Sequence, residues 1–420
     1  MAALELEVSD SEVREIERPE TQDLGAYEYC AKARQLIYGM TPAGLAEARQ
    51  YLEKAVELDP DYAMAYSSLG QLFSMRFIAT TDRQDLKEAI RYLQRAVELD
   101  PELGDPYAWL TYSYSRENRY AEAIESGRRA VGLEPDNPMS HYLLGVALWL
   151  RGMGEYEIDG YREALEHLQK TTELAPRYQP GHQIMGSIYL HAGQYDQARI
   201  SLEHAAEIEE EGDWEMARFV GSIGLLARVA FRQGRLDEAA TLLEKSFRVS
   251  GDVEHVYTAA CKALSHCFVG DIYLRRRRYD EAMSAFRQAQ TQVANSSRSL
   301  GIGWAQIRAL AGLALSFHQL GMRREAEANY DQAVSLLTSK ADYDFSGIWQ
   351  GGQAEIHMEL ASYLALSHQH DEALAQLEKA VNCGWAETPR LETDPNLTTL
   401  SGSERFQEIH AELTARPPLP

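Results

Sequence analysis

The sequence predicts an all-α chain: a solenoid of about nine stacked helix pairs, closed by a C-terminal capping helix. Three observations carry this. A ten-residue string recurs, YLEKAVELDP at 51–60 and YLQRAVELDP at 92–101, with weaker copies SGRRAVGLEP at 126–135 and HLQKTTELAP at 167–176. Nine alanines, Ala48, Ala89, Ala123, Ala164, Ala198, Ala239, Ala282, Ala326 and Ala373, follow one another at intervals of 34 to 47 residues. Pro60, Pro101, Pro135 and Pro176 each close an apolar-periodic helix, because a proline ring blocks its continuation. Recurrence at such a period marks an architecture in which each unit buries its apolar face against its neighbours.

Each alanine opens the second helix of a pair, after a charged turn. The helix before it carries a small residue followed one turn later by a large one: Leu69-Gly70 with Phe73, Leu144-Gly145 with Leu148, Met185-Gly186 with Tyr189, Val269-Gly270 with Tyr273. Gly and Ala at these points let two helices approach closely, and the larger residues fill the space around them. Repeats three (Gly104 to Asn137) and five (Gln179 to Gly212) have no insertion. Repeats two and four gain seven residues between their two helices, close to two helical turns, so a longer helix keeps the same face inward. From repeat six onward the extra residues lie between pairs, around Trp214, Val256, Leu300 and Phe345, and the closing prolines disappear.

These features resemble the tetratricopeptide repeat family over about residues 26–386: helix–turn–helix units, a period near 34 residues, small residues at two crossings and a closing proline. The resemblance implies a right-handed α-solenoid whose first helices line a groove that holds extended peptides or partner helices. The long repeats six to nine are similar to those of some bacterial signalling regulators. The expected organisation is an acidic N-terminal extension at 1–25, repeats one to five at 26–212, repeats six to nine at 213–386, and a cap and tail at 387–420. The extension holds eight acids and two bases, so we expect it disordered or loosely attached. Leu391, Leu397, Leu400, Phe406, Ile409 and Leu413 read as a turn and a final amphipathic helix, the cap a solenoid needs over its last apolar face. From Pro417 onward the chain should fray.

Charge narrows the function. The chain has 420 residues, 41 Lys and Arg against 64 Asp and Glu, and a formal net charge of -23. A phosphate backbone or an anionic lipid surface needs a cationic face, so neither nucleic acid nor membrane is an expected partner. No basic-then-apolar leader opens the chain, no apolar run approaches a bilayer span, and four cysteines make no disulfide framework, which together point to a cytoplasmic protein. Phosphate loops, zinc-protease helices, nucleophile elbows and paired cysteines are all missing from the sequence. We therefore expect no catalysis, no cofactor and no metal. His368-x-His370-Asp371 is the best metal candidate, but it falls in the inter-helix turn of repeat nine. His141, His182, His266 and His357 stand four residues before Gly145, Gly186, Gly270 and Ala361, where the family prefers a wedged aromatic ring, so they read as structural.

Spacing from the small first-helix residue gives the inward positions. In repeats three and four these are Tyr112, Arg116, Tyr142 and Trp149. In repeats six to eight they are Arg228, Arg232, Arg275 and Arg308. Rigid aromatics suit peptide contacts, and arginines suit carboxylates or phosphates. The alternative for the arginines is pairing with acids of neighbouring helices, such as Asp271 or Glu355. The run Arg275–Arg278 is either a solvated helix end or a docking patch for an acidic partner. The Lys and Asn clamp by which chaperone-tail-binding members hold a terminal carboxylate has no counterpart at Ser67, Gln71, Asp105, Trp109, Met139, Tyr142 or Val146. The expected function is a non-catalytic scaffold binding a protein or peptide segment, an acidic one included. The alternative is a sensory subunit of a signalling system, binding a small ligand or peptide signal.

Overall fold

The computed structural model describes residues 21–155, 158–212, 220–250, 255–296, 301–338, 351–383, 385 and 387–415. Nothing but helices and turns occurs among them. The helix pairs are α1 (Leu24–Tyr38) and α2 (Pro42–Leu58), α3 (Ala63–Thr80) and α4 (Arg83–Leu99), α5 (Gly104–Arg116) and α6 (Tyr120–Leu133), α7 (Pro138–Glu155) and α8 (Ile158–Leu174), α9 (Gln179–His191) and α10 (Tyr195–Glu211). The later pairs are α11 (Ser222–Arg232) and α12 (Leu236–Val249), α13 (Thr258–Arg275) and α14 (Tyr279–Ala294), α15 (Ile302–Gln319) and α16 (Arg323–Thr338), α17 (Gly351–Leu366) and α18 (His370–Asn382). A short helix α19 (Thr388–Thr393), a 3₁₀ turn at Thr398–Leu400 and α20 (Glu404–Thr414) follow. Most of the N-terminal extension, Trp214, Leu300, Phe345 and the tail from Pro417 lie outside the described residues.

The chain forms two compact units, Met1–Arg76 with Arg83–Leu144, and Phe77–Asp82 with Gly145–Pro420. The division falls inside α7, and the change of repeat length near residue 213 lies within the second unit. In both units the second helix of a pair packs on its own first helix and on the next one, as α4 does on α5 and α14 on α15. In the second unit the first helices α9, α11, α13, α15 and α17 also touch in succession, which places their facing residues along one side.

The nine alanines are all fully buried, at the crossings the spacing assigned to them. One tight crossing is around Phe286 of α14, itself 0% exposed. Its ring lies between Gly270 of α13 and Gly312 of α15, and a Cβ added at either glycine would overlap it. Only glycine leaves room for an aromatic ring between two backbones so close. In the inserted repeats the extra residues lengthen the first helix, α3 and α7 having 18 residues where α5 and α9 have 13.

The turns inside the pairs share one design. In most pairs three residues join the helices, and the middle one has a positive φ: Met40, Asn118, Gly193, Gly234, Arg277, Gly321 and His368. The next residue donates its N–H back to the last helical turn, as Arg119 does to Tyr114, Gln194 to Tyr189 and Arg278 to Tyr273, each at 2.9 Å. This is the left-handed closure that satisfies the orphan carbonyls of a helix end. It explains the placement of Gly and Asn there, and it puts His368 at a backbone-determined position. The rings of His368 and His370 lie 6.1 Å apart.

Two of the four periodic histidines also serve closures. His141 and His182 bond the carbonyls of the closing prolines Pro135 and Pro176, each at 2.9 Å. His266 stacks on Phe247 at 4.6 Å, and His357 bonds Gln376 at 2.7 Å. At the end of the chain Leu391, Leu397, Leu400, Phe406, Ile409 and Leu413 join one apolar core with Met358, Ala361 and Leu377 of the last pair, so α20 caps the stack.

Candidate functional site

In the first unit Tyr112 and Arg116 of α5 come together with Tyr142 of α7. The Arg116 guanidinium lies 4.6 Å over the Tyr112 ring, and burial above all pushes the Tyr142 phenol up. All three side chains are buried, with Arg116 only 1% exposed. Trp149 belongs to the second unit, where it is fully buried 6.0 Å from the His191 ring. These four side chains, expected on the inward face, are therefore buried in the stack, where a large flat side chain gains most by leaving water.

In the second unit Arg228 and Arg232 project from α11, Asp271 from α13, Arg308 from α15, and Glu355 and Glu359 from α17. The segment after α18 adds Glu387, Arg390 and Asp394. Glu355 is the hub. It pairs with Arg228, with Arg232 and Arg390 at 2.9 Å each, and with Arg308 at 3.6 Å. Glu387 takes Arg232 at 3.0 Å and Arg228 at 3.8 Å. Arg308 also pairs with Asp271, and Arg390 with Glu359 at 2.7 Å and Asp394 at 3.8 Å. Glu355 and Glu387 are 0% exposed, and the four arginine side chains are 3–5% exposed. Of the two readings of the arginines, internal pairing holds for Arg228, Arg232 and Arg308. Buried guanidiniums need counter-ions, and α17 supplies one in the middle of them.

Arg275 differs. It is exposed, lies 5.6 Å over the Phe231 ring and makes no ion pair among the described residues.

The carboxyls of the cluster are driven in opposite directions. Burial pushes Glu355 up, but Arg228, Arg232, Arg390 and Arg308 together overcome it and hold it well below the usual carboxylate range. Glu359 is lowered in the same way, burial being outweighed by Arg390 and Arg308. Burial wins at Glu387 and at Asp271, whose carboxyls are raised. Linkage then gives Glu355 and Glu387 opposite signs. The Glu355 contribution is present above the ordinary carboxylate range and is lost as pH falls toward its depressed folded value. The Glu387 contribution is present below that range and is lost as pH rises through its elevated folded value. At neutral pH Glu387→Gln should therefore cost much less stability than Glu355→Gln, and the gap should shrink toward pH of about 4. Urea midpoints of both variants across this range check it. A gap that does not change with pH contradicts it.

Beside the cluster the same side of the unit carries a recess of about 460 Å³. Successive first helices line it, with Phe231 from α11, Leu274 and Arg275 from α13, Leu315 from α15 and Leu366 from α17. The segment Arg390–Asn396 forms its remaining wall. The sequence reading named Asp271 and Glu355 but missed Glu359, Glu387, Arg390 and Asp394. A signal existed: Glu387, Arg390 and Asp394 alternate in sign at helical spacing in the segment expected to form the cap.

Among the described residues no three His, Cys, Asp or Glu gather as a metal site, and no helix is long and apolar enough to cross a membrane. Cys30, Cys261 and Cys267 are buried free thiols, and Cys383 is half-buried.

Helix pairs closed by left-handed turns, crossing at alanine and glycine, define an α-solenoid repeat protein. Tetratricopeptide repeat patterns match residues 44–103, 75–138 and 110–157, residues 181–211 and residues 222–293, together just over half of the chain. The chain belongs to the tetratricopeptide repeat family. It is 28% identical over 150 residues to the putative cargo-transport protein ypp1 of Schizosaccharomyces pombe, covering 36% of this chain and 15% of that protein. It is 31% identical over 98 residues to the TPR repeat-containing thioredoxin TTL4 of Arabidopsis thaliana, covering 23% of this chain and 13% of that one. The chain thus spans a small part of the curated relatives it matches. The APC/C hetero-tetramer Cut9-Hcn1 is a similar solved structure, at 15% identity and a TM-score of 0.49, over 89% of this chain and 62% of that chain.

Proposed function

We propose that the protein is a non-catalytic interaction scaffold that binds a segment of a partner protein on the first-helix side of its second unit. One observation carries this: four successive first helices and the C-terminal segment build a single recess with apolar side chains and arginines on its wall. A recess of this size and mixed lining holds a few side chains of an extended segment. The repeat family supports the reading, since stacked helix pairs present continuous faces of this kind. Arg275 is the exposed member of the expected arginine set on this recess, while Arg232 lines it with its guanidinium held by Glu355 and Glu387, and Arg228 and Arg308 are paired in the buried cluster. Tyr112, Arg116, Tyr142 and Trp149 maintain the stack.

A displayed library of random twelve-residue peptides, selected on the full chain, tests the proposal. Enriched peptides should bind with micromolar affinity and compete with one another. If no peptide of any composition enriches over an unrelated helical protein, the scaffold reading fails.

A further inference from the structure

We infer that the recess is a site for a carboxylate-bearing peptide segment with a large apolar side chain, gripped by Arg275 and Arg277. This rests on the scaffold reading and names the class of its partner. The four-arginine run at 275–278 is split by the α13–α14 turn. Arg276 turns outward to Asp237, and Arg278 to Glu281 at 2.8 Å. Arg275 and Arg277 line the recess instead, and neither makes an ion pair among the described residues.

The acids of the recess are already engaged. Asp271 pairs with Arg308, and Glu359 and Asp394 with Arg390, while Arg232 is held by Glu355 and Glu387. Among the described residues two guanidiniums are thus left without a counter-ion beside Phe231, Leu274, Leu315 and Leu366. A guanidinium beside apolar surface favours a carboxylate, to which it can donate two parallel hydrogen bonds. The chain itself supplies a template next to the recess. Glu387 sits on Arg232 at 3.0 Å, and Leu391 of the same segment is buried to 2% exposure.

The backbone adds an independent observation. Arg277 has φ 57° at the turn position that holds Gly193, Gly234 and Gly321 in three other repeats and Met40, Asn118 and His368 in three more. A side chain at positive φ is disfavoured relative to glycine, so glycine at this position fits the backbone at least as well. The recess-facing side chain is what a glycine would lack.

The test uses the full chain and the peptides enriched on it. The expected enrichment is Asp or Glu within about four positions of Leu, Ile, Phe or Trp. Arg275→Gln with Arg277→Gly should weaken an enriched peptide at least ~10-fold, the scale of two charge-assisted contacts. Arg277→Gly alone should weaken it while leaving the unfolding midpoint unchanged or raised, so misfolding cannot explain the loss. Arg276→Gln with Arg278→Gln should leave affinity unchanged. Peptides without an acidic bias, or an affinity indifferent to Arg275 and Arg277, overturn the inference and leave the scaffold reading intact. Displacement by free glutamate as effective as by the peptide itself also overturns it, in favour of a small acid.

Discussion

Replacing Glu355 by glutamine is expected to destabilise the second unit by about 3–5 kcal/mol, as for other buried ion pairs broken from one side. The carboxylate is fully buried and faces Arg228, Arg232, Arg308 and Arg390 at once. Glutamine keeps the shape and removes the charge. Four guanidiniums then share Glu387, Glu359, Asp271 and Asp394 at the rim of the cluster, and the buried positive charge at its centre is uncompensated. No guanidinium can release its proton to escape, since arginine stays charged in proteins. Hydrogen exchange gives the direct readout: amides of α11 and α17 should lose protection together, because the cluster links those two helices across more than a hundred residues. A loss below ~1 kcal/mol, the range of surface pairs, would show that the cluster is wet and weakly coupled.

Phe286→Ala is expected to cost about 3–5 kcal/mol, the range for a fully buried aromatic ring removed from a packed core. The ring fills the space between the Gly270 and Gly312 backbones. The helices cannot close the gap without shifting α13 and α15, which the rest of the stack holds apart. The converse substitution is informative. Gly312→Ala adds a methyl into the ring and should cost about 1–3 kcal/mol by overpacking. Combined with Phe286→Leu it should cost less than the sum, because leucine vacates the space the new methyl needs. Denaturant titration of the two single variants and the double variant measures the coupling. Strict additivity would mean that glycine is there for another reason.

Particular residues show how much was legible. The nine alanines were readable because helix crossings repeat, and repetition is visible in one dimension. The cap was readable too, since Leu397, Phe406 and Ile409 keep a helical apolar spacing. Arg228, Arg232 and Arg308 were correctly placed on first helices, because spacing from the small residue assigns the face. Their environment was not readable. Whether a first-helix guanidinium meets solvent or a carboxylate depends on the neighbouring helix and on what lies over it. Glu387 and Arg390 come from a segment with no repeat signal, and only the folded chain brings them to α11.

The one-dimensional pattern therefore determined the all-helical class, the repeat period and the crossings, because each depends on residues within one helix pair. Tertiary structure decided which arginines are sealed and which stay accessible. That choice depends on counter-ions far apart in the chain, such as Glu355 and Glu387 for Arg232, and on a C-terminal segment whose place follows from packing rather than periodicity. It also divided the run Arg275–Arg278 into two side chains paired with acids and two that line the recess. A left-handed residue in a three-residue turn re-aims its neighbours in a way composition does not reveal.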